Sequence, residues 1–213
     1  MKSSKLFLAI ALVSTGTVRA GQIDMDDPRR AVGREDDIRI DALLIDDTVS
    51  SGSAIGVTYQ VHNLTSNPIA VAEKLCTATF DADSRTITVA IGSEVPANGM
   101  LPKMAVIAPG RTKTFSVGAI FNLVTTTVRS PLTAVPRYVQ IKVNVLRDLV
   151  PFHPLLQQQA RSSLPVALSD DLFAQWLESN ESIFLNSVPV RFDPRGRRTS
   201  GADAESHSLF GSP

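Results

Sequence analysis

Histidine, cysteine and paired carboxylates are where chemistry would start in this 213-residue chain, and they are sparse. The three histidines are His62, His153 and His207, and no two stand at metal-ligand spacing on one element. A copper-type thiolate site would need a histidine soon after Cys76, and none follows. Acid pairs occur at Asp26/Asp27, Asp36/Asp37, Asp46/Asp47 and Asp170/Asp171. Paired carboxylates can serve glycosidic acid/base work or hold calcium. On a strand, however, adjacent residues point to opposite faces, and at a helix start they serve the cap. Asp81 and Asp83 share one turn and offer two calcium ligands where six or more are usual. There is no G-x-S-x-G elbow, no phosphate-binding P-loop and no G-x-G-x-x-G. Catalytic, metal and cofactor residues are therefore expected to be none.

Two matches to the glycosylation sequon, at Asn63 and Asn180, are read as coincidence. The basic cluster Arg191, Arg195, Arg197 and Arg198 has only Phe192 interleaved and reads as a solvated tail, not a nucleic-acid site. His62 alternates with Val61 on a strand and reads as an exposed strand residue. Cys76, the only cysteine, cannot form an intramolecular disulfide and reads as packing between Leu75 and Ala78.

The chain's beginning sets the expected compartment. Lys2 and Lys5 precede the apolar run Leu6–Val13, and Val18-Arg19-Ala20 has the small-residue form of a cleavage site. Residues 1–20 thus read as a signal peptide, with the run too short for a membrane span of about 20 residues. Without Lys2, Lys5 and Arg19, 18 of the 21 basic residues face 21 acidic ones, a formal charge of −3. That weak charge gives no field for nucleic acid or an anionic membrane. No later stretch is apolar enough to span, so the expected location is periplasmic or extracellular.

The elements follow from periodicity. Residues 21–37 are rich in Asp and Arg and read as a flexible leader. Between 38 and 147, short extended runs alternate with turn residues. The clearest places Ile55, Val57, Tyr59 and Val61 on one face. Thr77–Phe80 and Thr86–Ile91 read as a hairpin around Asp81–Ser84. Residues 38–45, 69–71, 104–107, 112–117 and 137–147 complete the set. No strand–helix–strand alternation occurs, which predicts a mainly β fold with a single antiparallel sandwich.

Residues 148–192 change character and are expected to form a helical extension and edge segment packed on the sandwich. Ser169 caps a helix carrying the stripe Phe173, Trp176 and Leu177. Ile183–Leu185 and Val188–Phe192 read as a final hairpin or edge, and 193–213 as a disordered tail.

Val57–Thr65 followed by Pro68-Ile69, and Ile107–Thr112 with Phe115, resemble bacterial immunoglobulin-like and fibronectin-III-like modules, a group that includes a proteinase-inhibitor family. The resemblance covers roughly 38–147 and implies an immunoglobulin-like sandwich, while transferring no functional residue. The expected role is non-enzymatic: protein or ligand interaction in the bacterial cell envelope. The contacts would be the loops 92–103 and 123–136 or a sheet edge. A secreted protease inhibitor, or an enzyme whose site only folding assembles, are the alternatives. The partner is expected to be an unidentified protein or envelope component.

Overall fold

The computed structural model describes residues 26–123, 134–162 and 164–194. The expected signal peptide, residues 124–133 of the expected contact loop 123–136, His207 and the arginines at 195, 197 and 198 lie outside the described residues, as does all but the start of the expected tail.

The fold is mainly β. In chain order the strands are β1 (Arg30–Glu35), β2 (Ile38–Leu44), β3 (Thr48–Val49), β4 (Ser53–Asn63), β5 (Ile69–Ala72), β6 (Cys76–Asp81), β7 (Thr86–Ile91), β8 (Met100–Leu101), β9 (Met104–Ile107), β10 (Thr112–Phe121) and β11 (Tyr138–Leu146). Helix α1 (His153–Arg161), β12 (Val166–Ala167), helix α2 (Asp170–Ser179), β13 (Asn180–Phe184), β14 (Val188–Pro189) and β15 (Arg191–Phe192) follow. One sheet runs β1-β2-β4-β10, antiparallel throughout. The other runs β6-β7-β11-β5-β9, with β13 and β14 also on β11. β8 pairs with β12, and β3 with β15.

Alternation decides which faces meet. On β4, Val57, Tyr59 and Val61 are fully buried while Thr58, Gln60 and His62 turn outward. On β7, Ile87, Val89 and Ile91 do the same. These faces, with Ile40 and Leu44 of β2 and Ile141 and Val143 of β11, form one core shared by both sheets. A second cluster joins Leu101, Leu146, Leu149, Phe152, Val166 and Trp176 beneath the helices.

The structure departs from the sequence reading in four places. Residues 30–35, assigned above to the flexible leader, form β1. Their inward positions are Ala31, which is buried, and Gly33, so no large apolar residue marks the strand. A Cβ on Gly33 would lie 2.8 Å from the Phe184 carbonyl oxygen, and that contact demands glycine. The sheets are not wholly antiparallel, because β7 and β11 run parallel from Tyr138↔Thr86 to Val143↔Ile91. β13 and β14 do not form a hairpin with each other. Both lie along β11, at Lys142–Leu146 and Tyr138–Val139, while β7 and then β5 occupy its opposite side. Finally, α2 buries Trp176 with Leu172 packed nearby, whereas Leu177 is 48% exposed.

Candidate interaction edge and polar face

The motifs that carried the resemblance meet at one corner. Pro109-Gly110 makes a tight turn in which the Arg111 amide donates to Ala108 O at 3.1 Å. Gly110 has φ +66°, the left-handed conformation this turn needs at its third residue. The Gly110 amide donates to Asn63 O (2.7 Å), and the Asn63 amide to Arg111 O (2.9 Å). The Asn63 side chain is completely buried. Its Nδ2 donates to Asn67 O (2.8 Å) and Ile107 O (2.9 Å), and its Oδ1 accepts from the Thr65 amide (3.0 Å) and hydroxyl (2.7 Å). Asn63 therefore joins the end of β4 to β9 and to the loop before β5.

This corner also sets the phase of β10. In an antiparallel ladder, bonded and non-bonded pairs alternate. Asn63 bonding to Arg111 O makes the odd-numbered residues of β10 the ones that bond to β4. The N–H and C=O groups of Thr112, Thr114, Ser116, Gly118 and Ile120 then face away from β4. Among the described residues, no strand pairs with that edge. Other edges are better covered. Asn186 exchanges hydrogen bonds with Val32 on β1 (its amide to Val32 O, 3.0 Å, and its Oδ1 from the Val32 amide, 2.6 Å), and Gln159 caps the start of β9. The edge β6 has six residues against ten in β10, and it lies alongside β10 without hydrogen-bonding to it. Phe115 stacks on Tyr59 at 5.0 Å and, with Val117, is half-buried beside this edge. Lys113 lies over the Phe115 ring at 5.5 Å.

The outward face of the same sheet carries a polar cluster around Asp41, whose side chain is 7% exposed. Arg39 Nε reaches Asp41 Oδ2 at 2.9 Å, Arg30 Nη2 contacts Oδ1, and His62 Nε2 lies 3.2 Å from Oδ2. His62 Nδ1 and Thr112 Oγ1 are 2.9 Å apart. His62 is thus a bridge between β2 and β10 with a side chain only 27% exposed, not the simple exposed residue expected from alternation. Burial pushes the Asp41 carboxyl up, but hydrogen bonds from Arg39 and Arg30, and then their charge, outweigh it and hold its pKa below the usual aspartate value. A carboxyl depressed on folding adds stability above its unfolded pKa of about 4 and loses it as pH falls through the lower folded value. Asp41→Asn is therefore expected to flatten the acid side of the stability profile. Urea unfolding at pH 7 and pH 3 checks this, with a smaller drop for the variant than for the wild type.

The remaining sequence candidates do not converge. Asp27 pairs with Arg29, Asp36 with Arg147, Asp37 with Arg34 and Asp47 with Arg191. Asp170 and Asp171 sit in the first turn of α2, where Ser169 accepts from the Leu172 amide at 3.4 Å. Asp81 closes its own turn onto the Asp83 amide and Ser84 hydroxyl. His153 begins α1 and faces Gln157. Cys76 packs against the core, and burial pushes its thiol up to about 11, away from the thiolate form that reacts. Loop 92–103 is clamped: Trp176 Nε1 donates to Glu94 O (3.0 Å), Asn180 Nδ2 to Ser93 O (3.2 Å), and Gln159 Nε2 to Leu101 O and Pro102 O. What sequence reasoning missed was the open edge of β10, since pairing between distant strands leaves no local signal.

No protein-family model, curated protein or solved structure matches the chain. Among the described residues, no helix is long and apolar enough to cross a membrane.

Proposed function

We propose that this chain is a non-enzymatic interaction protein of the bacterial cell envelope, exported by residues 1–20. In this reading an immunoglobulin-like sandwich offers the outer edge of β10 to a protein partner. The observation that carries the reading is that edge: ten residues without proline, backbone groups turned away from β4 on alternate residues with no strand paired to them among the described residues, and a half-buried apolar flank at Phe115 and Val117. Natural proteins usually blunt such edges, because unpaired N–H and C=O groups recruit another strand. Strand addition supplies affinity from main-chain bonds and selectivity from alternate side chains. Loop 92–103 loses its place in the reading because the extension already holds it.

Thr114→Pro tests this. Thr114 bonds outward, so proline there removes an edge donor without removing a bond to β4. The immobilised variant is expected to keep its circular-dichroism spectrum and to lose at least tenfold of the protein captured from an envelope extract by the wild type. Equal capture by both would refute the edge as the contact.

A further inference from the structure

We propose that the occupant of the β10 edge is a second copy of this chain, paired antiparallel about a two-fold axis at Ser116. This deepens the edge reading above and rests on it. The first argument is register. A two-fold at Ser116 sets Ser116 opposite its counterpart, Thr114 opposite Gly118, and Thr112 opposite Ile120, all of them residues whose backbone groups face the edge. The same register sets Phe115 opposite Val117, so each copy covers the half-buried flank of the other. Lys113 falls opposite Ala119, and no lysine meets a lysine. The strand is complementary to itself along nearly its whole length. Without residues 1–20 the formal charge is −3, too weak for strong general repulsion between copies.

The second argument is Gly118. Its own fold does not require glycine. Its φ is not in the left-handed region, and an added Cβ would meet only Ala54 Cβ at 3.8 Å and Ile55 O at 3.9 Å, ordinary contacts. Glycine inside a strand weakens the strand, and it marks places where another backbone comes close. On the unpaired edge, opposite Thr114 of the other copy, it serves that approach. The product is one continuous sheet, β1-β2-β4-β10 followed by the same strands in reverse, which leaves no open β10 edge.

Sedimentation equilibrium of the purified protein tests the proposal. The wild type is expected to have the dimer mass at micromolar concentration. Ser116→Pro is expected to have the monomer mass with an unchanged far-ultraviolet spectrum, since Ser116 makes no ladder bond to β4. In a Cys76→Ala background, Ser116→Cys is expected to cross-link between copies on mild oxidation, because bonded antiparallel pairs stand about 5.5 Å apart at Cα. Thr112→Cys, which would face Ile120, is expected to cross-link at least tenfold less. A monomeric wild type, a dimer that survives Ser116→Pro, or equal cross-linking at both positions overturns the proposal. A monomeric wild type combined with loss of capture by Thr114→Pro would assign the edge to a different protein and leave the edge reading standing.

Discussion

Trp176→Ala is expected to cost about 3–5 kcal/mol of unfolding free energy, the usual range for removing a buried large aromatic. Trp176 is 1% exposed and is the chain's only tryptophan. Its ring meets Phe152 edge-on at 5.9 Å and fills the cluster of Leu101, Leu146, Leu149 and Val166. Its indole N–H also holds Glu94 O, so truncation frees loop 92–103 as well as opening a cavity. Trp176→Phe keeps most of the ring and loses the donor, and about 1–2 kcal/mol is expected for it. Guanidinium unfolding followed by far-ultraviolet circular dichroism measures both, since the variants lack the fluorophore. A loss under 1 kcal/mol for the alanine variant would mean that the helical extension adds little to the fold.

Asn63→Ala ranks next, at about 3 kcal/mol. The variant removes the donors to Ile107 O and Asn67 O and the acceptor for Thr65, and it does so where water cannot replace them. A buried polar group stripped of its partner costs about 1–3 kcal/mol. Asn63→Asp keeps the shape but points a negative oxygen at two carbonyls. It is expected to lose at least as much at pH 7 and to regain part of the loss as pH falls, because a protonated carboxyl can donate one hydrogen bond. Thermal melts at pH 7 and pH 4 check the sign. In the folded chain the amide nitrogen of the sequon at Asn63 is already donating to two carbonyls.

What could be read beforehand was what one strand says about itself. The alternation of β4 named its buried face, Ser169 named the start of α2, and Asp81–Ser84 named the turn between β6 and β7. The motif pair around Asn63 and Gly110 was visible as a pattern, while its cause, one side chain bridging distant segments, was not. β1 stayed hidden because its inward residues are alanine and glycine, and its outward ones, Arg30 and Arg34, look like a charged linker. The parallel pairing of β7 with β11 joins segments almost fifty residues apart and needs no local signature. The cluster at Asp41 left no local signal, because Arg30 and His62 reach it from neighbouring strands and only Arg39 lies beside it on its own.

The last stretch of the described chain fastens its first. Arg191 and Phe192 lie beside Thr48 and Val49, Asn186 caps Val32, and Ile183 completes the flank of β11. The contacts that close over the first strands are therefore not all available until residue 192 has emerged, and loop closures of this span slow the search for the native state. A nascent chain halted before that point would leave Ala31 and Val49 exposed to proteases, with the strand beside them only half enclosed.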